Sequence, residues 1–138
     1  MTTIVAVQTE DDVILGWDSQ LTRANETGSM KAPKVWCRDG IVFAVSGHAR
    51  FMDILYADDF PAYDGSEARR WLIREFVPFV LNLVADSGHA PVLTEDEVAL
   101  ASGLIVVVDG EAFSFDALMS PAAIDEGVYT MGSGGDYA

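Results

Sequence analysis

The sequence predicts an α+β fold, with helices layered on antiparallel sheet. Three observations carry this. Apolar, β-branched runs gather toward the two ends of the chain. Helical periodicity is confined to the middle. Strands follow one another across short turns instead of alternating with helices, so no parallel crossover is required.

Taken in order, Thr3 to Thr9 is a β-branched run, Glu10-Asp11-Asp12 a polar turn, and Val13 to Trp17 a second apolar run, which together make a hairpin. Ser19 to Met30 is polar, contains Gly28 and reads as a loop. Lys34 to Cys37 and Ile41 to Val45 form a second hairpin around Arg38-Asp39-Gly40, because Asp-Gly accepts the positive φ that tight turns require. Both pairs are apolar on both faces, which predicts one sheet covered on both sides. His48 to Ala57 reads as a helix ended by Asp58-Asp59 and Pro61. Asp64-x-x-Glu67 has the form of a capping box before a longer helix, in which Leu72, Phe76, Phe79, Val80 and Leu83 recur at helical spacing. Pro78 should kink that helix, and Ser87-Gly88 should end it. Leu93 to Ala101 fits neither pattern clearly. Leu104 to Val108, the turn Asp109-Gly110 and Ala112 to Phe115 form a third hairpin. Val128 to Met131 is a further strand, running into Gly132-Ser133-Gly134-Gly135.

The length of 138 residues predicts one domain over 1–138, and a hydrophobic half of the chain is enough to fill a core. A net charge of −14 argues against nucleic acid and against an anionic membrane surface, since both need clustered cations. The start, Met1-Thr2-Thr3-Ile4, lacks a basic leader, and a single cysteine, Cys37, suits a reducing compartment; a cytoplasmic location is expected. Cys37 sits in a strand and is expected to be a buried, inert thiol. His48 and His89 are too far apart for helical metal-ligand spacing, so no metal and no cofactor is expected.

Several nucleophile and phosphate motifs are missing. There is no Gly-x-x-x-x-Gly-Lys loop, and Met131 replaces the first glycine of a Gly-x-Ser-x-Gly elbow around Ser133. The N-terminus offers another chemistry. Threonine is small, so Met1 is removable, which leaves Thr2 with both a hydroxyl and a free α-amine. One residue can then serve as nucleophile and base, with an amine pKa of about 7.7–8.0, close to working pH. Asp18 follows the second strand and Lys34 opens the third. Paired, they would keep a cation that lowers the pKa of a neighbouring hydroxyl or amine. Gly47 follows a strand and offers a backbone N–H to an oxyanion.

The set Met-Thr-Thr-Ile-Val-Ala-Val, Gly16-Trp17-Asp18-Ser19, Lys34-Val35, Ser46-Gly47 and Gly132-Ser133-Gly134-Gly135-x-Tyr137-Ala138 resembles the proteasome β-subunit family, and within it the bacterial HslV peptidase branch. The resemblance runs along the whole chain in order. It implies a four-layer αββα sandwich of N-terminal-nucleophile hydrolase type. It also implies that the chain stops short of the family's closing helix pair and strands, so that roughly the C-terminal quarter of the fold is missing. His48 stands where the family has a second glycine, and Trp17 where it has a small residue.

By that resemblance, Thr2 is the nucleophile of a threonine endopeptidase and Lys34 the lysine that lowers its pKa. Asp18 is the partner of that lysine, Gly47 the oxyanion-hole glycine, and Ser133 the serine that bonds the threonine amine. Ala49 falls at the wall of the pocket for the substrate side chain. The implied partners are peptide or unfolded protein substrate, further copies in a homo-oligomeric ring, and an ATPase unfoldase. Two other readings stay open: an inactive assembly protein of the same fold, and an amidase of the same nucleophile class acting on a small molecule.

Overall fold

The computed structural model describes residues 3–18, 20–23, 26–29, 34–46, 49–86, 92–93, 98–99, 103–116, 119–124 and 127–131. Two antiparallel sheets face each other. The first has three strands, with β1 (Ile4–Gln8) between β2 (Val13–Trp17) and the last strand of the described chain (Gly127–Met131).

The second has five strands. Its edge strand Val35–Arg38 forms a hairpin with Ile41–Ser46, which pairs with Gly103–Val108; that strand pairs with Glu111–Phe115, and Pro121–Ala123 closes the other edge. Two short hairpins are formed by Gln20–Arg23 with Glu26–Ser29, which follow β2 in the chain, and by Val92–Leu93 with Val98–Ala99, which precede Gly103–Val108. In chain order the twelve strands among the described residues are β1 to β12, so that Gln20–Arg23 is β3, Glu26–Ser29 is β4, Val35–Arg38 is β5, Ile41–Ser46 is β6, Gly103–Val108 is β9, Glu111–Phe115 is β10 and Gly127–Met131 is β12.

Alternation along β6 and β9 divides the core. Phe43, Val45, Leu104 and Val106 point to one face, where helix α1 (Ala49–Ala57) and the helical run Ala68–Asp86 pack through Phe51, Leu55, Trp71, Leu72, Phe76 and Val80. Ala44 and Ile105 point to the other, where they meet Ile4, Ala6 and Met131 of the three-stranded sheet. On the helical side Phe43 stacks on Phe60 with centroids 4.5 Å apart and on Phe76 at 5.9 Å, an offset arrangement that aromatic rings favour. The layers among the described residues are thus helices, five strands and three strands.

The helical run has three parts: α2 (Ala68–Trp71), a π-helical turn (Leu72–Phe76) and α3 (Val77–Asp86). Pro78 has no N–H, and in a regular helix its ring would press on the carbonyl of Arg74. The widened turn just before it relieves that conflict, so the expected kink takes the form of a π turn.

Other expectations need correction. Ser19 to Met30 is not simply a loop, since it carries the β3–β4 hairpin. Asp64 does not cap the long helix: Glu67 takes the N-cap position without a side-chain bond, while Asp64 accepts the Ser66 N–H at 2.9 Å and the Ser66 hydroxyl. The first two hairpins lie in different sheets, and the outer face of the three-stranded one is open among the described residues, with Ile14 60% and Val128 67% exposed. Cys37 is exposed rather than buried. It lies on the edge strand, outside the cluster that the narrower three-stranded sheet covers.

Ser66 holds the Asp64 carboxyl below its ordinary 3.8 by donating two hydrogen bonds to the charged form. A carboxyl lowered on folding stabilises above its unfolded pKa, and that contribution is lost as pH falls through the folded value. Ser66→Ala should therefore raise the Asp64 pKa toward 3.8, read by an NMR titration of the carboxyl carbon.

Arg38 ties the edge strand to the end of α1. Its guanidinium donates to the carbonyls of Tyr56, at 2.6 Å, and of Asp58, and lies 5.7 Å from the centre of the Tyr56 ring. Tyr56 lies in the last turn of α1 and Asp58 just beyond it, where carbonyls run out of helical donors and where the helix dipole favours a cation. Arg38→Ala should cost about 1–2 kcal/mol in urea unfolding, and Arg38→Lys should restore less than half, because an ammonium cannot fork across two carbonyls.

Candidate active site

One end of the sandwich gathers chain segments that are distant in sequence. Ile4, at the start of β1, pairs with Trp17 at the end of β2 and with Met131 at the end of β12. In the other sheet Ser46, at the end of β6, pairs with Gly103 at the start of β9, and the Val45 N–H donates to the Lys34 carbonyl at 3.0 Å. Thr3, Asp18, Lys34, Ser46, Gly103 and Met131 therefore all stand at the same end.

An ion pair joins the two sheets there. The Lys34 ammonium donates to Asp18 Oδ1. Lys34 is 4% exposed and Asp18 30%. Burying an ammonium is costly without a partner, and Asp18 supplies one with a carboxylate that is still partly exposed. The second oxygen of that carboxylate holds the chain start: Asp18 Oδ2 accepts the Thr3 N–H at 3.0 Å, and the Asp18 N–H in turn donates to the Thr3 carbonyl at 3.2 Å. One carboxylate thus fixes a buried cation and the backbone of the third residue at once.

Asp18 and Lys34 are brought together as the sequence implied. Thr2, Gly47 and Ser133 lie outside the described residues; in the chain they adjoin or nearly adjoin Thr3, Ser46 and Met131. Ala49 opens α1, and its side chain also lies outside what is described. Two contributors escaped the sequence. The Thr3 N–H was not legible, because a backbone contact depends on register. Gly103 was legible only as a glycine before an apolar strand, a pattern that signals close approach without saying to what.

At the opposite end Gln8 joins the sheets again. Its amide nitrogen donates to the Gly110 carbonyl at 3.3 Å, and its oxygen accepts the Ala112 N–H at 3.0 Å. No described helix is long and apolar enough to cross a membrane.

No family model and no curated protein matches the chain. Solved structures do. Thiobacillus denitrificans BPH in complex with epoxomicin is similar with a TM-score of 0.75 at 18% identity, over 98% of this chain and 74% of that one. A second structure of Thiobacillus denitrificans BPH is similar with a TM-score of 0.75 at 19% identity, over the same shares. Eukaryotic HslV from Trypanosoma brucei is similar with a TM-score of 0.57 at 20% identity, again over 98% and 74%. The fold is that of proteasome β-subunits and HslV, an α+β arrangement of two antiparallel sheets with helices.

Proposed function

We propose that this chain is a threonine endopeptidase subunit of a proteasome-like, HslV-like complex, acting through Thr2 after removal of Met1. The observation that supports this most is the double grip of Asp18 on the Lys34 ammonium and the Thr3 N–H. It sets a cation beside the residue that follows Thr2, where a positive charge favours the deprotonated hydroxyl and amine.

In this reading the Thr2 hydroxyl attacks the scissile carbonyl and its proton passes to the Thr2 α-amine, directly or through water. The Gly47 N–H bonds the resulting oxyanion. The tetrahedral intermediate collapses, the C–N bond breaks, and the α-ammonium returns the proton to the departing amine. Water, deprotonated by the same amine, then cleaves the threonine ester and restores the hydroxyl. Ser133 bonds the amine and Ala49 lines the pocket for the substrate side chain. No cofactor enters the cycle. The wider setting is a homo-oligomeric ring fed with unfolded chains by an ATPase, in the cytoplasm. Epoxomicin, present with the Thiobacillus protein, is proposed to occupy the same site here.

Intact mass and turnover test the reading together. The purified chain should lack Met1, cleave fluorogenic peptides in preference to small aliphatic amides, and bind epoxomicin in native mass spectrometry. A retained Met1 in a peptide-cleaving protein would exclude the amine as base. A chain that hydrolyses only small amides would be an amidase of the same class.

A further inference from the structure

We infer that Gly103 is a positioning residue for this site: its missing side chain is the space in which β6 and β12 come close enough to present their ends together. The inference rests on the proposed peptidase reading. The reason is steric. A Cβ added at Gly103 would stand 2.6 Å from Ser46 Oγ, 2.6 Å from Met131 Sδ and 2.9 Å from Met131 Cγ, closer than carbon tolerates. At Gly16, Gly40, Gly65, Gly110 and Gly127 a Cβ would meet nothing within 4 Å. Gly103 does not need glycine for its backbone angles, so room is the reason for it.

Ser46 and Gly103 are directly paired and point between the sheets, and Met131 reaches that gap from the opposite sheet. Ser46 is the residue before Gly47, and Met131 is two residues before Ser133. The two side chains that fill the gap therefore belong to the segments leading to the proposed oxyanion donor and the proposed amine partner. A side chain at 103 has to displace Ser46 Oγ and Met131 Sδ and Cγ, and because both residues are buried among packed neighbours the displacement passes in part to the strand ends that carry them. A displacement of a few tenths of an ångström should cost about tenfold in rate, given that ~1 Å can cost ~10²-fold.

The test is a double-mutant cycle on peptide hydrolysis by the whole chain, with Gly103→Ala, Met131→Ala and the pair. Gly103→Ala should lower kcat about tenfold while KM stays within twofold. In the Met131→Ala background Cγ and Sδ no longer occupy the gap and the Ser46 hydroxyl can rotate into the space they leave, so the same substitution should cost less than threefold. If wild type cleaves peptides and Gly103→Ala leaves kcat unchanged, the inference fails and the peptidase reading stands. An equal loss in both backgrounds also overturns it, since Met131 would then not be what the side chain meets. If Gly103→Ala alone does not fold, the pair is compared with Met131→Ala: activity within threefold supports the inference, and a tenfold deficit overturns it. A wild-type chain that cleaves no peptide ends the reading itself.

Discussion

Thr2→Ala should lower peptide hydrolysis roughly 10⁴-fold or more, the scale on which loss of a covalent nucleophile is felt. Alanine is as small as threonine for Met1 removal, so the substitution deletes the hydroxyl and keeps the free amine. It also spares the fold. The contact that anchors this terminus is the Thr3 N–H on Asp18, a backbone bond indifferent to the side chain at position 2. Urea unfolding should therefore be unchanged while turnover is lost. Thr2→Ser should keep part of the rate, because the hydroxyl and the amine both remain. A chain carrying extra residues before Thr2 should be inactive for the complementary reason, that its amine is acylated. Wild-type turnover in Thr2→Ala would remove Thr2 from the mechanism.

The ion pair should separate stability from activity. Asp18→Ala leaves the Lys34 ammonium buried without this carboxylate, and also releases the Thr3 N–H. A fully buried pair broken in this way costs ~3–5 kcal/mol; with Asp18 30% exposed, about 2–3 kcal/mol is expected. Lys34→Met removes the cation but keeps an apolar stem in the core, and Asp18 can turn to water. Its cost should be about 1 kcal/mol, yet its activity should fall by roughly 10²-fold or more, since the charge that favours the deprotonated nucleophile is gone. Lys34→Arg should not restore the rate, because a planar fork does not fit a space shaped for an ammonium. The paired measurement is urea unfolding and kcat/KM on the same preparations. Equal kcat/KM in wild type and Lys34→Met would leave the pair a structural rivet only.

Strands written as short continuous apolar runs between turns were legible in the sequence, among them Val13 to Trp17 and Leu104 to Val108, because aliphatic and β-branched residues suit a pleated surface that neighbours cover. Gln20–Arg23, Glu26–Ser29 and Pro121–Ala123 were not. Their residues are polar or proline-led, and they become strands by pairing with a neighbour, information that no local window holds. Asp64-x-x-Glu67 matched a capping pattern, but the carboxylate found Ser66 two residues on and the cap did not form. The nearness of Asp18 and Lys34 was legible once both were placed at strand ends. Which oxygen served which partner was not. Cys37 misled because strand residues are usually buried, as its neighbours Val35 and Trp36 are, while Cys37 on the sheet edge is exposed.

The order of strands also has a consequence in time. β1 lies between β2, its nearest neighbour in sequence, and β12, the most distant. The Ile4–Trp17 pair forms by closing a short loop, whereas Ile4–Met131 waits until every described element between them has been made. On the ribosome the residues around Thr2 leave the tunnel before the strand that leads toward Ser133 does. The proposed catalytic end is thus completed only after the strand Gly127–Met131 has been made, and a site assembled in that order is unformed while the earlier segments emerge.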